Sequence, residues 1–176
     1  MYEWNYFYGA IMLDRDYDEA VNFIENKLLA KNYYYFHPKI FSTAVMEYPF
    51  YYDNILISFG RTGKWLFYGS QELMNFIVEF EDILNNLDFE NAQIKMTSPL
   101  GNYTLFWRNK QKCVGNDLQT TLEYFNKNKT RYYESRKFFF GLGEINLSTG
   151  GCIRKYNEDD LKFFDDEFPD FKYETI

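Results

Sequence analysis

Seven apolar residues, Leu73, Phe76, Ile77, Phe80, Ile83, Leu84 and Leu87, recur at helical spacing, with Glu79, Glu81 and Asp82 assigned to the opposite, solvated face. A helix with so complete an apolar stripe must lie against a second layer. The residues before it read as the nearest part of that layer. Asn54–Phe59 is strand-like, Gly60-Arg-Thr-Gly-Lys64 has the composition of a tight turn, and Trp65–Tyr68 reads as the returning strand. Gly60 and Gly63 can supply the positive φ that a short reversal demands. Ser70 is placed to cap the helix that follows.

The rest of the chain alternates in the same way. Residues 3–13 are aromatic and β-prone. A helix is predicted over 17–31, with Asp16 as its cap, Asp18 and Glu19 in its first turn, and Ala20, Phe23, Ile24 and Leu28 on one face. Further strands are predicted over 39–47, 92–96, 103–108, 112–114 and 152–156, and over 130–147 with a break around Gly141 and Gly143. A third helix spans about 117–127, with Leu118, Thr121, Leu122 and Phe125 on one side. The last starts at Glu158, turns Leu161, Phe164 and Phe168 inward, and stops at Pro169. Short strands in hairpins separated by single helices give an α+β fold: a mostly antiparallel sheet with about four helices packed on it, in a single domain over 1–176.

A chain of 176 residues is long enough to bury a core without disulfides or metal. The net charge of −7 disfavours general binding to phosphate backbones and suits a basic partner. Aromatic residues reach 22%, including 17 Tyr and 19 Phe; they serve either a stacking or interface surface, or reflect codon bias alone. Cys113 and Cys152 are far apart and outside any CxxC pattern, as expected of free thiols in a reducing compartment. The opening Met-Tyr-Glu-Trp-Asn lacks a basic segment followed by an apolar one, and no apolar run approaches the ~18 residues of a membrane span. A cytoplasmic protein is expected.

Motifs for chemistry are weak. Gly141-Leu-Gly143 and Ser148-Thr-Gly-Gly151 lack the lysine-plus-hydroxyl ending of a P-loop and the third glycine of a dinucleotide fingerprint. One histidine, His37, and two unlinked cysteines build no standard zinc site, and no Cys-His or Ser-His pairing suggests a nucleophile. No catalytic residue, cofactor or metal is predicted. Two charged stretches stand out instead. Residues 127–137 interleave five basic residues with Tyr132 and Tyr133, which reads either as a contact for an acidic strand or as a solvated strand edge. Residues 158–174 carry Glu158, Asp159, Asp160, Asp165, Asp166, Glu167, Asp170 and Glu174 against Lys162 and Lys172, which concentrates most of the net charge there. Glu158, Asp159 and Asp160 suit a helix N-terminus. Asp165, Asp166 and Glu167 oppose the dipole at the other end and require compensation, for which a basic partner would serve.

In size, charge and aromatic character the whole chain resembles the immunity proteins of bacterial toxin systems, such as those of contact-dependent growth inhibition. The resemblance implies a non-catalytic protein that docks an acidic surface on a cognate basic, nuclease-like toxin. The acidic residues Glu158, Asp159, Asp160, Asp165, Asp166, Glu167 and Asp170 are the candidate contacts. The alternative is a small-ligand domain or enzyme with an aromatic-lined pocket between sheet and helices.

Overall fold

A computed structural model of the protein describes residues 4–43, 56–113 and 116–173. Among the described residues eight strands form one antiparallel sheet: β1 (Trp4–Leu13), β2 (Phe41–Ser42), β3 (Leu56–Lys64), β4 (Phe89–Thr97), β5 (Asn102–Asn109), β6 (Arg131–Glu134), β7 (Phe138–Ile145) and β8 (Cys152–Lys155). Their spatial order is β2-β3-β1-β4-β5-β7-β6, with β8 added to β7. The helices are α1 (Tyr17–Asn22), α2 (Ser70–Asn85), α3 (Asn116–Lys127) and α4 (Glu158–Glu167). The fold class is α+β, as the order of elements in the sequence predicts. Among the described residues no helix is long and apolar enough to cross a membrane.

Strand alternation sorts the sheet's two faces. Phe7, Ile11, Ile57, Phe59, Ile94, Leu105, Trp107 and Phe140 are buried on the first, which α2 covers with Leu73, Phe76, Ile77, Phe80, Ile83 and Leu84. The contact is largely aromatic: Phe7 meets Phe76 at 5.0 Å between ring centroids, and Phe80 meets Trp107 at 4.6 Å. Each fully buried ring of this kind contributes about 1.5–3 kcal/mol. On the second face, over β5, β7 and β6, Phe125 of α3 packs on Phe106 and Phe139. Among the described residues the loop after β7 reaches Asn91 of β4, which is buried, while Trp4, Tyr6 and Tyr8 of β1 stay exposed on this side.

The predicted hairpin does not form over the described residues 56–68; its positions 54–55 lie outside them. β3 runs straight through Gly60-Arg-Thr-Gly-Lys64 and pairs with β1 from Trp4↔Lys64 to Met12↔Leu56. An uninterrupted antiparallel ladder satisfies the backbone groups that β3 turns toward β1, and two glycines spaced three apart offer no comparable compensation for breaking it. The reversal falls instead on Trp65, at φ 60°. Ser70 is not the cap of α2; Gly69 occupies that position and Ser70 Oγ accepts from Asp170 N at 3.2 Å.

Other departures have equally local causes. The helix predicted over 17–31 starts with Asp16 as cap, then widens to a π turn over Phe23–Lys27 and tightens to a 3-10 turn over Leu28–Lys31. Pro38–Ile40 form a 3-10 turn ahead of β2, which delays the strand predicted from Lys39; positions 44–47 of that prediction lie outside the described residues. The reversal after Asn109 is a 3-10 turn over Lys110–Lys112, capped by Asn109 Oδ1 accepting from Gln111 N at 3.0 Å, so the strand predicted over 112–114 does not begin at Lys112; position 114 lies outside the described residues. β7 passes through Gly141 and Gly143 unbroken. Gly141 is there for packing, since a Cβ would fall 2.4 Å from the Phe106 ring.

Candidate partner-binding surface on the C-terminal helix

α4 is fixed from beneath by aromatic packing. Phe164 and Phe168 are buried, and Leu161 packs against the same cluster, as the sequence predicts. Tyr103 of β5 meets Phe164 at 5.2 Å and Phe168 at 5.8 Å. The helix starts on Asn157, whose Oδ1 accepts from Asp160 N at 2.8 Å. Glu158, Asp159 and Asp160 occupy the first turn, where the partial positive charge of the helix end favours them.

Asp165 and Glu167, near the wrong end for the dipole, find compensation within the chain. Asp165 receives both Nη atoms of Arg131 on the edge strand β6, at 2.5 and 3.1 Å. That carboxylate holds the Arg131 guanidinium above its ordinary pKa, burial acting in the opposite sense. Glu167 Oε2 accepts from Ser98 Oγ at 2.7 Å and from Tyr103 OH at 2.6 Å, while Oε1 accepts from Leu100 N at 3.3 Å. Burial, then the Glu167 carboxylate, raise the Tyr103 phenol well above its usual range. Both acids therefore act as tethers that lock α4 onto β6 and onto the β4–β5 turn.

Glu158, Asp159 and Asp166 remain exposed, with Asp160 half-buried beside them. Asp170 is also exposed, one residue past Pro169, with its backbone N–H held by Ser70. Glu174 lies outside the described residues. In the centre stands a residue that the acidic pattern alone does not single out, Phe163, 61% exposed. Its helical neighbours at i−4, i−3, i+3 and i+4 are Asp159, Asp160, Asp166 and Glu167, all acidic. Leu100, 71% exposed, shares a small cleft with Phe163 and Asp160. The signal for Phe163 was present in the sequence: of two adjacent phenylalanines on a helix, only one can face the core.

The remaining sequence-stretch candidates resolve into scaffold. His37 is exposed and caps the turn at Pro38 by accepting from Lys39 N at its Nδ1, 3.0 Å away. In the 127–137 stretch, Arg131 is held by Asp165 and β6 is an edge strand. Cys113 and Cys152 are buried and free. Gly150 has φ 70°, and a Cβ there would fall 1.6 Å from Arg108 Nη1, so this glycine serves close packing in the 146–151 loop.

Glu81 departs most from its predicted place. Expected on the solvated side of α2, it is only 6% exposed and accepts from Trp107 Nε1 at 3.0 Å and Tyr173 OH at 2.5 Å. Burial pushes its pKa up to about 7, against the opposing pull of those two hydrogen bonds. Both bonded donors belong to the core and to the C-terminal segment, which makes Glu81 a polar anchor for that segment. Among the described residues no group of three or more His, Cys, Asp or Glu side chains could hold a metal ion. Compared with known protein families, with curated proteins and with solved structures, the chain matches none.

Proposed function

We propose that the protein is an immunity-type inhibitor that docks the outer face of α4 onto a basic, nuclease-like toxin domain and occludes it without chemistry. The observation that supports this reading is the setting of Phe163: an exposed aromatic ring with acidic residues at all four adjoining helical positions. Protein interfaces concentrate their energy in a few large side chains surrounded by a polar rim, and an aromatic ring within an acidic rim is complementary to a basic surface. The tethers through Asp165 and Glu167 keep the helix rigid before binding, which lowers the entropic cost of association. The exposed carboxylates then steer a cationic partner, so association is fast and weakens with salt.

The test is co-expression with the toxin domain encoded directly upstream of this chain's gene. Cells expressing both should grow, and the two proteins should co-purify one to one. Phe163→Ala and Asp159→Lys/Asp166→Lys should each abolish protection while leaving the chain folded. Protection by both variants at wild-type level would remove α4 from the interface.

A further inference from the structure

The second face of β1 carries a row of exposed aromatic side chains that the core does not use. Trp4, Tyr6 and Tyr8 occupy alternate positions of β1, so all three project from the same face. They are 62%, 44% and 51% exposed. The rings of Tyr6 and Tyr8 lie 6.2 Å apart and 21° from parallel, and the Lys64 ammonium sits 5.2 Å over the Trp4 ring. Beside the tyrosines opens a cleft of about 400 Å³, lined also by Lys95, the cross-strand neighbour of Tyr8, and by Glu144, Arg154, Lys155 and Asp160. Lys95 is paired with Glu144 at 3.6 Å. Arg154, whose cross-strand neighbour is that same Glu144, and Lys155 are exposed and form no ion pair among the described residues.

We propose that this face binds single-stranded nucleic acid, with bases on Tyr6, Tyr8 and Trp4 and phosphates against Arg154 and Lys155. The site adjoins the face of α4 proposed above to dock a toxin and shares Asp160 with it. The choice of occupant follows from the chemistry. Stacked rings in a row take successive flat π faces, and unpaired cations beside them take the charge that accompanies each base. A neutral sugar would use the rings and leave the cations idle. A duplex buries its bases in its own stack, and a mononucleotide has one base for three rings. The chain's net charge of −7 opposes long-range attraction, so binding depends on this local arrangement and weakens with salt.

The experiment is fluorescence anisotropy of a labelled ten-nucleotide oligothymidine titrated with the full chain. Saturable binding is expected at 50 mM salt. With two phosphate contacts, raising salt to 200 mM should weaken it roughly sevenfold. Tyr6→Ala/Tyr8→Ala should weaken binding by at least about fivefold, whereas Tyr6→Phe/Tyr8→Phe, which keeps the rings, should bind like wild type. Arg154→Glu/Lys155→Glu should remove the salt-sensitive part. Circular dichroism verifies that these exposed substitutions leave the fold intact. No saturable binding at 50 mM salt overturns the proposal, as does binding unchanged in the Tyr→Ala or the Arg/Lys→Glu variant. Salt-independent binding overturns it in favour of a neutral ligand, and competition by thymidine monophosphate as effective as that by the oligonucleotide overturns the role of the row.

Discussion

Arg131 and Asp165 are 34 residues apart in the chain and meet in a two-pronged ion pair, Nη1 to Oδ1 at 2.5 Å and Nη2 to Oδ2 at 3.1 Å. The pair joins the basic stretch at 127–137 to the acidic C-terminal segment, so each of the two charged features partly answers the other. What α4 presents to solvent is accordingly narrower than its sequence suggests, and centred on Phe163.

Because the Asp165 side chain is more than half exposed, the pair stabilises the fold only modestly. Asp165→Asn should cost no more than about 1 kcal/mol, read as a small fall in the urea midpoint with an unchanged slope. Growth protection by this variant should match wild type, since Arg131 already neutralises the charge it removes.

Glu167 should matter more to stability than Asp165, despite bearing the same charge. Glu167→Ala leaves Leu100 N and Tyr103 OH without their acceptor and Ser98 Oγ with Gly101 O alone. The expected loss is about 2 kcal/mol, measured by chemical unfolding, with Glu167→Gln falling between the two because it keeps one accepting oxygen.

Stability should fall as pH rises through neutrality, on account of Glu81. Its folded pKa of about 7 lies above the ordinary 4.5, so between those values the folded state holds more protons than the unfolded one. The destabilisation is absent below about pH 4.5, grows through pH 7 and levels off above it, reaching on the order of 3 kcal/mol. Glu81→Gln retains acceptors for Trp107 and Tyr173, and unfolding midpoints for this variant at pH 5 and pH 8 should nearly coincide. A wild-type profile flat over the same range would place the carboxylate in a wetter setting.

The sequence shows α2, α3 and α4 plainly, because each has an apolar stripe at helical spacing and little else to decide. β4 and β5 are legible from alternation, and their pairing from the short turn between them. β3 is misread for a physical reason: Gly60 and Gly63 have turn chemistry locally, but nine consecutive partners on β1 are a non-local fact that no window contains. The positive φ then falls on Trp65, a residue with no propensity to announce it. Glu81 is hidden in the same way, since its burial depends on Tyr173, 92 residues away. For α4, the dipole-opposed acids signal a need for compensation, and Arg131, Ser98 and Tyr103 supply it for two of them from distant strands and turns.

The central claim, that the outer face of α4 captures a basic partner, is tested most directly by the association rate with the toxin domain proposed as that partner, in a stopped-flow experiment at low salt. Asp159→Lys/Asp166→Lys should slow association by about tenfold or more and flatten its salt dependence, while Asp165→Asn stays within about twofold of wild type. An unchanged rate for the double reversal at low salt would contradict the claim.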